Sequence, residues 1–331
     1  LAEVLGAAIG FNLLFGIPLL VGVAITAADT VLLLFLQGLG IRTLEAFVLS
    51  LITVIGGCFF VEIVLAKPSI GEMVTGLAPR IGRDSLYVAI GILGATVMPH
   101  NLYLHSALVQ SRKLQADDES IHQAIRYNIV DSVVALTMAF LVNAAILVLA
   151  ALVFFGKRSL WLPNGQLIDF HPDSDWIRIA YLTLAPLVGT GLASVLFAVA
   201  LLASGQSSTI TGTLAGQVVM EGFMEWRIRP WVRRMITRLL AVMPAILIVG
   251  ARGDTGVTDL LNLSQAILAI QLPLAIIPLM HLTSSRKYMG KFVNGKFFMI
   301  AGWGSCLLIT ALDIYGLPDS IRTAWGVIVG Q

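Results

Sequence analysis

The sequence predicts an all-α, polytopic membrane protein forming a single transmembrane domain over residues 1–331, and three observations carry that reading. First, 57% of the residues are hydrophobic and only 12% are charged, far from the composition of a water-soluble domain of this length. Second, apolar residues run in stretches long enough to cross the roughly 30 Å hydrocarbon core of a bilayer. Third, the basic residues are unevenly divided between alternate loops, as in chains oriented by the positive-inside rule.

About nine windows of spanning length follow one another, at roughly 4–17, 19–36, 46–65, 86–110, 129–155, 179–203, 235–250, 260–283 and 297–313. Leu1-Ala2-Glu3-Val4 leads straight into the first window without a basic n-region, so no signal peptide is read there. Pro18 closes that window. The sixth window is expected to be one continuous span that continues as a more polar helix from Ser207 to Phe223. Between the fifth and sixth, 156–175 contains Pro163, Asn164, Gly165, His171 and Pro172 and reads as an external loop. With the first span entering from the cytoplasm, the inward loops hold 13 of the 21 basic residues.

Several function classes fall away. A net charge of +2, with no basic stripe interleaved with aromatics, gives no basis for a nucleic-acid partner. Cys58 and Cys306 lie far apart in apolar runs, which suits neither a disulfide framework nor a thiolate metal site. A His-Glu-x-x-His helix and a Gly-x-Ser-x-Gly elbow are both absent, so an intramembrane hydrolase, and an enzyme in general, is not read here. No cofactor motif is found.

The fourth window carries the chemistry. Within Gly91-Ile-Leu-Gly-Ala-Thr-Val-Met-Pro-His-Asn-Leu-Tyr-Leu-His105, Pro99 has no amide hydrogen to donate and its ring crowds the preceding turn. A kink or true break near 95–98 follows, and carbonyls freed inside a bilayer need partners in the protein or on a ligand. A simple proline kink is the plainer alternative. Met98 adds a polarizable thioether, which favours softer transition metals over Ca²⁺ or Mg²⁺. His100 and His105 are five residues apart, about 140° around a helix, so they do not chelate one ion and read as separate proton-handling groups.

The run Ala95-Thr-Val-Met-Pro-His-Asn-Leu-Tyr-Leu-His105 resembles the sixth-helix signature of the natural-resistance-associated macrophage protein (NRAMP) family of divalent metal transporters. Ser204-Gly-Gln-Ser-Ser-Thr209, Gly212-Thr-Leu-Ala-Gly-Gln217 and Met220-Glu-Gly222 resemble the family's next signature, and Gln271-Leu-Pro273 fits a later helix. The resemblance implies a leucine-transporter-like bundle of two inverted five-helix repeats, with the nine spans as helices three to eleven. The family's Asp-Pro-Gly-Asn motif of the first helix is not in this sequence. It also implies proton-coupled import of Mn²⁺, Fe²⁺ or similar divalent ions across the cell membrane by alternating access. A cation channel and a sodium-coupled small-molecule transporter of the same fold are the alternatives. On this resemblance Met98 and the Ala95 carbonyl bind the metal, and Gln265 joins them in some conformations.

Charges placed in lipid are costly and mark functional candidates. By the resemblance Glu3 faces His100 across a proton pathway; by position alone it is equally an interfacial carboxylate. Arg234 and Arg238 are four apart and share a helix face, as a lining of the proton exit or as positive-inside anchors. Glu62, one turn from Lys67, reads as half of a structural pair or as an interfacial group, and Asn143 as an interhelical hydrogen-bonding group, with a gate role as the alternative.

Overall fold

The computed structural model describes residues 1–76, 78, 83–110, 115, 117–156, 159–161, 167–169, 176–188, 191–224, 230–252 and 256–329. Helix α1 (Ala2–Phe15) stops at Gly16, which takes the left-handed φ of 67° and returns its N–H to the Asn12 carbonyl at 2.9 Å. Glycine reaches that conformation without a steric cost. The chain then turns through Pro18 into α2 (Leu19–Gly38), bent 120° from α1 over Leu19–Ala28.

There follow α3 (Ile41–Ala66), the short α4 (Ile70–Gly76), α5 (Arg83–Thr96), α6 (Pro99–Gln110) and α7 (Asp118–Phe154). The second part holds α8 (Trp176–Val188), α9 (Gly191–Met224), α10 (Pro230–Arg252), α11 (Gly256–Thr283), α12 (Arg286–Met289) and α13 (Lys296–Val329). Among the described residues, α3, α7, α9, α11 and α13 are each long and apolar enough to cross a membrane, and the bent α1–α2 pair supplies a sixth candidate. All nine windows expected from the sequence fall largely in helix.

Helix α9 is the post of the bundle. Half of its most apolar window is buried, against 6% for α7, so α7 lies at the lipid-facing edge while α1, α3, α6, α8 and α10 pack on α9. Residues Val4, Leu5, Ala8 and Ile9 of α1 form one core with Val23 of α2, Val242 and Ala245 of α10, and Leu260 of α11. Burying such aliphatic side chains contributes about 1.5–3 kcal/mol each where water is the alternative. Inside lipid, close packing takes over that role.

The structure departs from the sequence expectations at several points. The window 179–203 is not one span: α8 ends at Val188 and α9 begins at Gly191, with 189–190 outside the described residues. Gly189, Thr190 and Gly191 interrupt an otherwise apolar run there, and two glycines so close together weaken helix continuity. The polar continuation expected after Ser207 does belong to α9. In the loop before α8, Ser159–Trp161 and Leu167–Asp169 pair as a small antiparallel hairpin, with Leu160 opposite Ile168. Finally, Glu62 does not pair with Lys67. It is fully buried, with no hydrogen-bond partner on either carboxylate oxygen, whereas Lys67 is the exposed left-handed cap of α3 at φ 45°. Asn143 is exposed on α7 rather than turned into a helix interface.

Candidate metal centre

The break falls where the proline chemistry puts it. Helix α5 ends at Thr96 and α6 starts at Pro99, leaving Val97 and Met98 as the non-helical link. The Val97 amide still closes on the Leu93 carbonyl at 2.8 Å, and the Asn101 amide opens α6 by bonding the Met98 carbonyl at 3.1 Å. The helical partner of the Ala95 carbonyl would be the amide of residue 99, and Pro99 has none. That carbonyl therefore lacks its ordinary helical partner.

Gly94 sets what faces the break. A β-carbon built there would overlap the backbone carbonyl of Gln265 and lie 2.8 Å from the Ala269 amide nitrogen. The α5 and α11 backbones therefore meet one residue before Ala95, an approach open only to glycine. Gln265 is half-buried at this crossing; its Nε2 donates to Ser264 Oγ at 3.3 Å, and its Oε1 is buried with no hydrogen-bond partner. Thus Ala95 and Met98 follow within about a turn of the point where α5 meets α11 at Gln265. Among the described residues no group of three or more His, Cys, Asp or Glu is placed to hold a metal.

A second set of groups gathers at the start of α1. Helices α1 and α9 run antiparallel in close contact: a β-carbon on Gly205 would sit 2.5 Å from the Ala7 nitrogen, and one on Gly212 would sit 2.5 Å from Glu3 Oε2. Glu3 therefore lies over the bare backbone of α9. Glu3 and Arg238 lie within electrostatic reach of one another, and His100 lies near Leu1 at the start of α1. Arg238 is 6% exposed and donates from Nη2 to the backbone carbonyl of Thr26 on α2. So the structure draws Glu3, His100 and Arg238 to one end of α1. It leaves His105 exposed on α6, away from that group, and the side chain of Arg234 lies outside the described residues. Thr26 was not legible as a partner, because its contribution is a backbone carbonyl.

An all-helical membrane bundle with a broken helix offering ligands at its gap is the architecture of a secondary transporter. Residues 1–319 match the family described as Nramp, natural resistance-associated macrophage protein-like, and the chain belongs to that family. It is 48% identical over 323 residues to the divalent metal cation transporter MntH of Xylella fastidiosa, covering 96% of this chain and 66% of that protein. The MntH of Listeria welshimeri is 47% identical over 98% of this chain and 70% of its own length. The crystal structure of a variant of the Eremococcus coleocola manganese transporter superposes with a TM-score of 0.82 at 38% identity, covering 98% of this chain and 69% of that one. The chain thus spans about two-thirds of the length of these relatives.

Proposed function

We propose that the chain forms one transport domain of a proton-coupled carrier that imports divalent transition-metal ions, Mn²⁺ and Fe²⁺ foremost, across the cell membrane. The observation that carries this reading is the gap between Thr96 and Pro99, which holds Met98, deprives the Ala95 carbonyl of its helical partner and lies within about a turn of the Gly94–Gln265 crossing. The ion sits at the gap, and the thioether prefers Mn²⁺ or Fe²⁺ to the hard, strongly hydrated Ca²⁺ and Mg²⁺. The printed names of the relatives, divalent metal cation transporter and manganese transporter, support the same substrate class.

Glu3, His100 and Arg238 form the proton path in this reading. Glu3 on α1 and His100 on α6 carry the exchangeable protons. Arg238, fixed by its bond to Thr26, offers Glu3 a counter-charge when a proton leaves. The α1–α9 contact and the α5–α6 gap move relative to each other as access alternates between the two sides of the membrane.

The test is Mn²⁺ uptake into proteoliposomes with and without an inward proton gradient. A carrier gives saturable uptake that the gradient accelerates and that acidifies the lumen. Unsaturable flux indifferent to the gradient would instead establish a cation channel.

A further inference from the structure

The loop that joins α11 to α13 concentrates positive charge that the transport reading does not use. Arg286, Lys287, Lys291 and Lys296 fall within eleven residues, all exposed, with no carboxylate between them in sequence. The loop is also closed on itself. The Asn294 amide donates to the Thr283 carbonyl at 3.1 Å and ties its two ends together, and the Tyr288 and Met289 amides both donate to the Ser285 carbonyl. Arg286 and Lys296 stand three and two residues from the partners of that tie.

Two contacts fasten the loop to the start of α7. Lys291 Nζ pairs with the Asp118 carboxylate, and one turn further on the His122 ring meets the Phe292 ring edge-on at 5.0 Å. In the same turn Asp117 caps its own helix through Ser120, and Glu119 makes no ion pair with the loop. Among the described residues Arg286, Lys287 and Lys296 have no carboxylate partner; Lys287 has the Tyr288 ring, 5.6 Å away. Helices α7 and α13 are not a closely packed pair. They are the two spanning helices most bare to lipid, with 6% and 11% of their apolar windows buried. Tyr288 is exposed on the loop, as are Phe297, Phe298 and Ile300 in the first turns of α13.

On the orientation expected from the basic loops, this segment lies at the cytoplasmic surface of the membrane. Cations held together in a tied loop repel one another, and an anion bound among them relieves that repulsion. Anionic lipid headgroups stand at the same level, and basic residues beside a membrane helix attract them. Aromatic side chains favour the layer between headgroups and acyl chains. We propose that residues 286–298 form a binding site for an anionic phospholipid, its phosphate held by Arg286, Lys287 and Lys296 and its acyl chains laid along α13 past Phe297 and Phe298. An acidic peptide would answer the charges alone. The lipid also answers the aromatics, which stand where the bare surface of α13 begins.

The experiment titrates the purified chain in neutral detergent with fluorescent phosphatidylglycerol and with phosphatidylcholine of the same acyl chains. Phosphatidylglycerol should bind saturably and more tightly. One cation beside an anionic headgroup is worth about five-fold in affinity, so Lys296→Gln should weaken phosphatidylglycerol binding about five-fold. The triple variant Arg286→Gln, Lys287→Gln, Lys296→Gln should weaken it roughly 100-fold. Phosphatidylcholine binding should stay as in the parent in both. Lys67→Gln, which neutralises the exposed cap of α3, should bind both lipids like the parent. If the triple variant does not fold, Lys296→Gln against Lys67→Gln carries the test. Equal affinity for the two lipids, parent-like affinity in Lys296→Gln, or equal loss in Lys296→Gln and Lys67→Gln overturns the site. Displacement of phosphatidylglycerol by inorganic phosphate or polyglutamate at matched concentration also overturns it, and makes the occupant a soluble anion or an acidic protein segment.

Discussion

Glu3 occupies the space that a side chain at Gly212 would take: a β-carbon there would fall 2.5 Å from Glu3 Oε2 and 3.0 Å from Oε1. The glycine thus seats the carboxylate against α9, within electrostatic reach of Arg238. Gly212→Ala should displace only the end of a flexible side chain, leaving the unfolding temperature near that of the parent. Proton-driven Mn²⁺ uptake should nevertheless slow, while metal binding measured without a gradient persists. Gly205→Ala makes the contrast. Its methyl meets the backbone of Ala7 at 2.5 Å, so overpacking should destabilise the α1–α9 contact by about 1–3 kcal/mol. Equal unfolding temperatures for the two variants would count against this distinction.

At the other crossing, Gly94→Ala forces a methyl into the Gln265 carbonyl and to 2.9 Å from Ala269 Cβ. Helices α5 and α11 must separate, carrying Ala95 away from Gln265. We expect both a loss of stability of about 1–3 kcal/mol and weaker Mn²⁺ binding. If the variant binds Mn²⁺ as the parent does, Gly94 is a packing residue and the crossing does not shape the metal site.

Arg238 joins two helices through its bond to the Thr26 carbonyl. Arg238→Met keeps much of the side-chain volume but removes the charge and the donor. The loss should be about 1.5–3 kcal/mol, the size of a hydrogen bond to a charged group. Uptake should also respond differently to external pH, because Glu3 loses its counter-charge. A parent-like pH profile of uptake in this variant would confine Arg238 to a structural role.

The exposed start of α7 gives a pH prediction outside the membrane. Asp117 caps the helix by accepting from the Ser120 amide at 2.9 Å, and that hydrogen bond holds its carboxyl below the ordinary aspartate value of 3.8. A lowered folded-state value means the cap contributes fully above 3.8 and is lost as pH falls through the lower folded value. Amide exchange at Ser120 should accelerate over that acid range in the parent. Asp117→Asn still caps, so it should remove the acid dependence while retaining protection.

What could be read from the sequence followed from local chemistry. The missing amide of Pro99, with Met98 beside it, located the break, and the apolar windows located the helices. Contacts between distant segments were less legible. Glu62 was matched to Lys67 because they are close in sequence, but the left-handed cap turns Lys67 out at the exposed helix end. Gly94 and Gly212 look like ordinary membrane-helix glycines until α11 and α1 are brought against them. The last apolar window closed at 313, yet α13 runs on to Val329 and carries Pro318 within its length. Proline is tolerated in a membrane helix when neighbouring groups satisfy the freed carbonyl.

The central claim is that the metal binds at the α5–α6 gap through Met98. Its most direct test is Mn²⁺ titration of the parent and Met98→Ala, each repeated against a competing excess of Ca²⁺. The parent should bind Mn²⁺ with little interference from Ca²⁺, and the variant should lose discrimination more than it loses Mn²⁺ affinity. Binding and discrimination identical in the two proteins would contradict the claim and move the metal away from the broken helix.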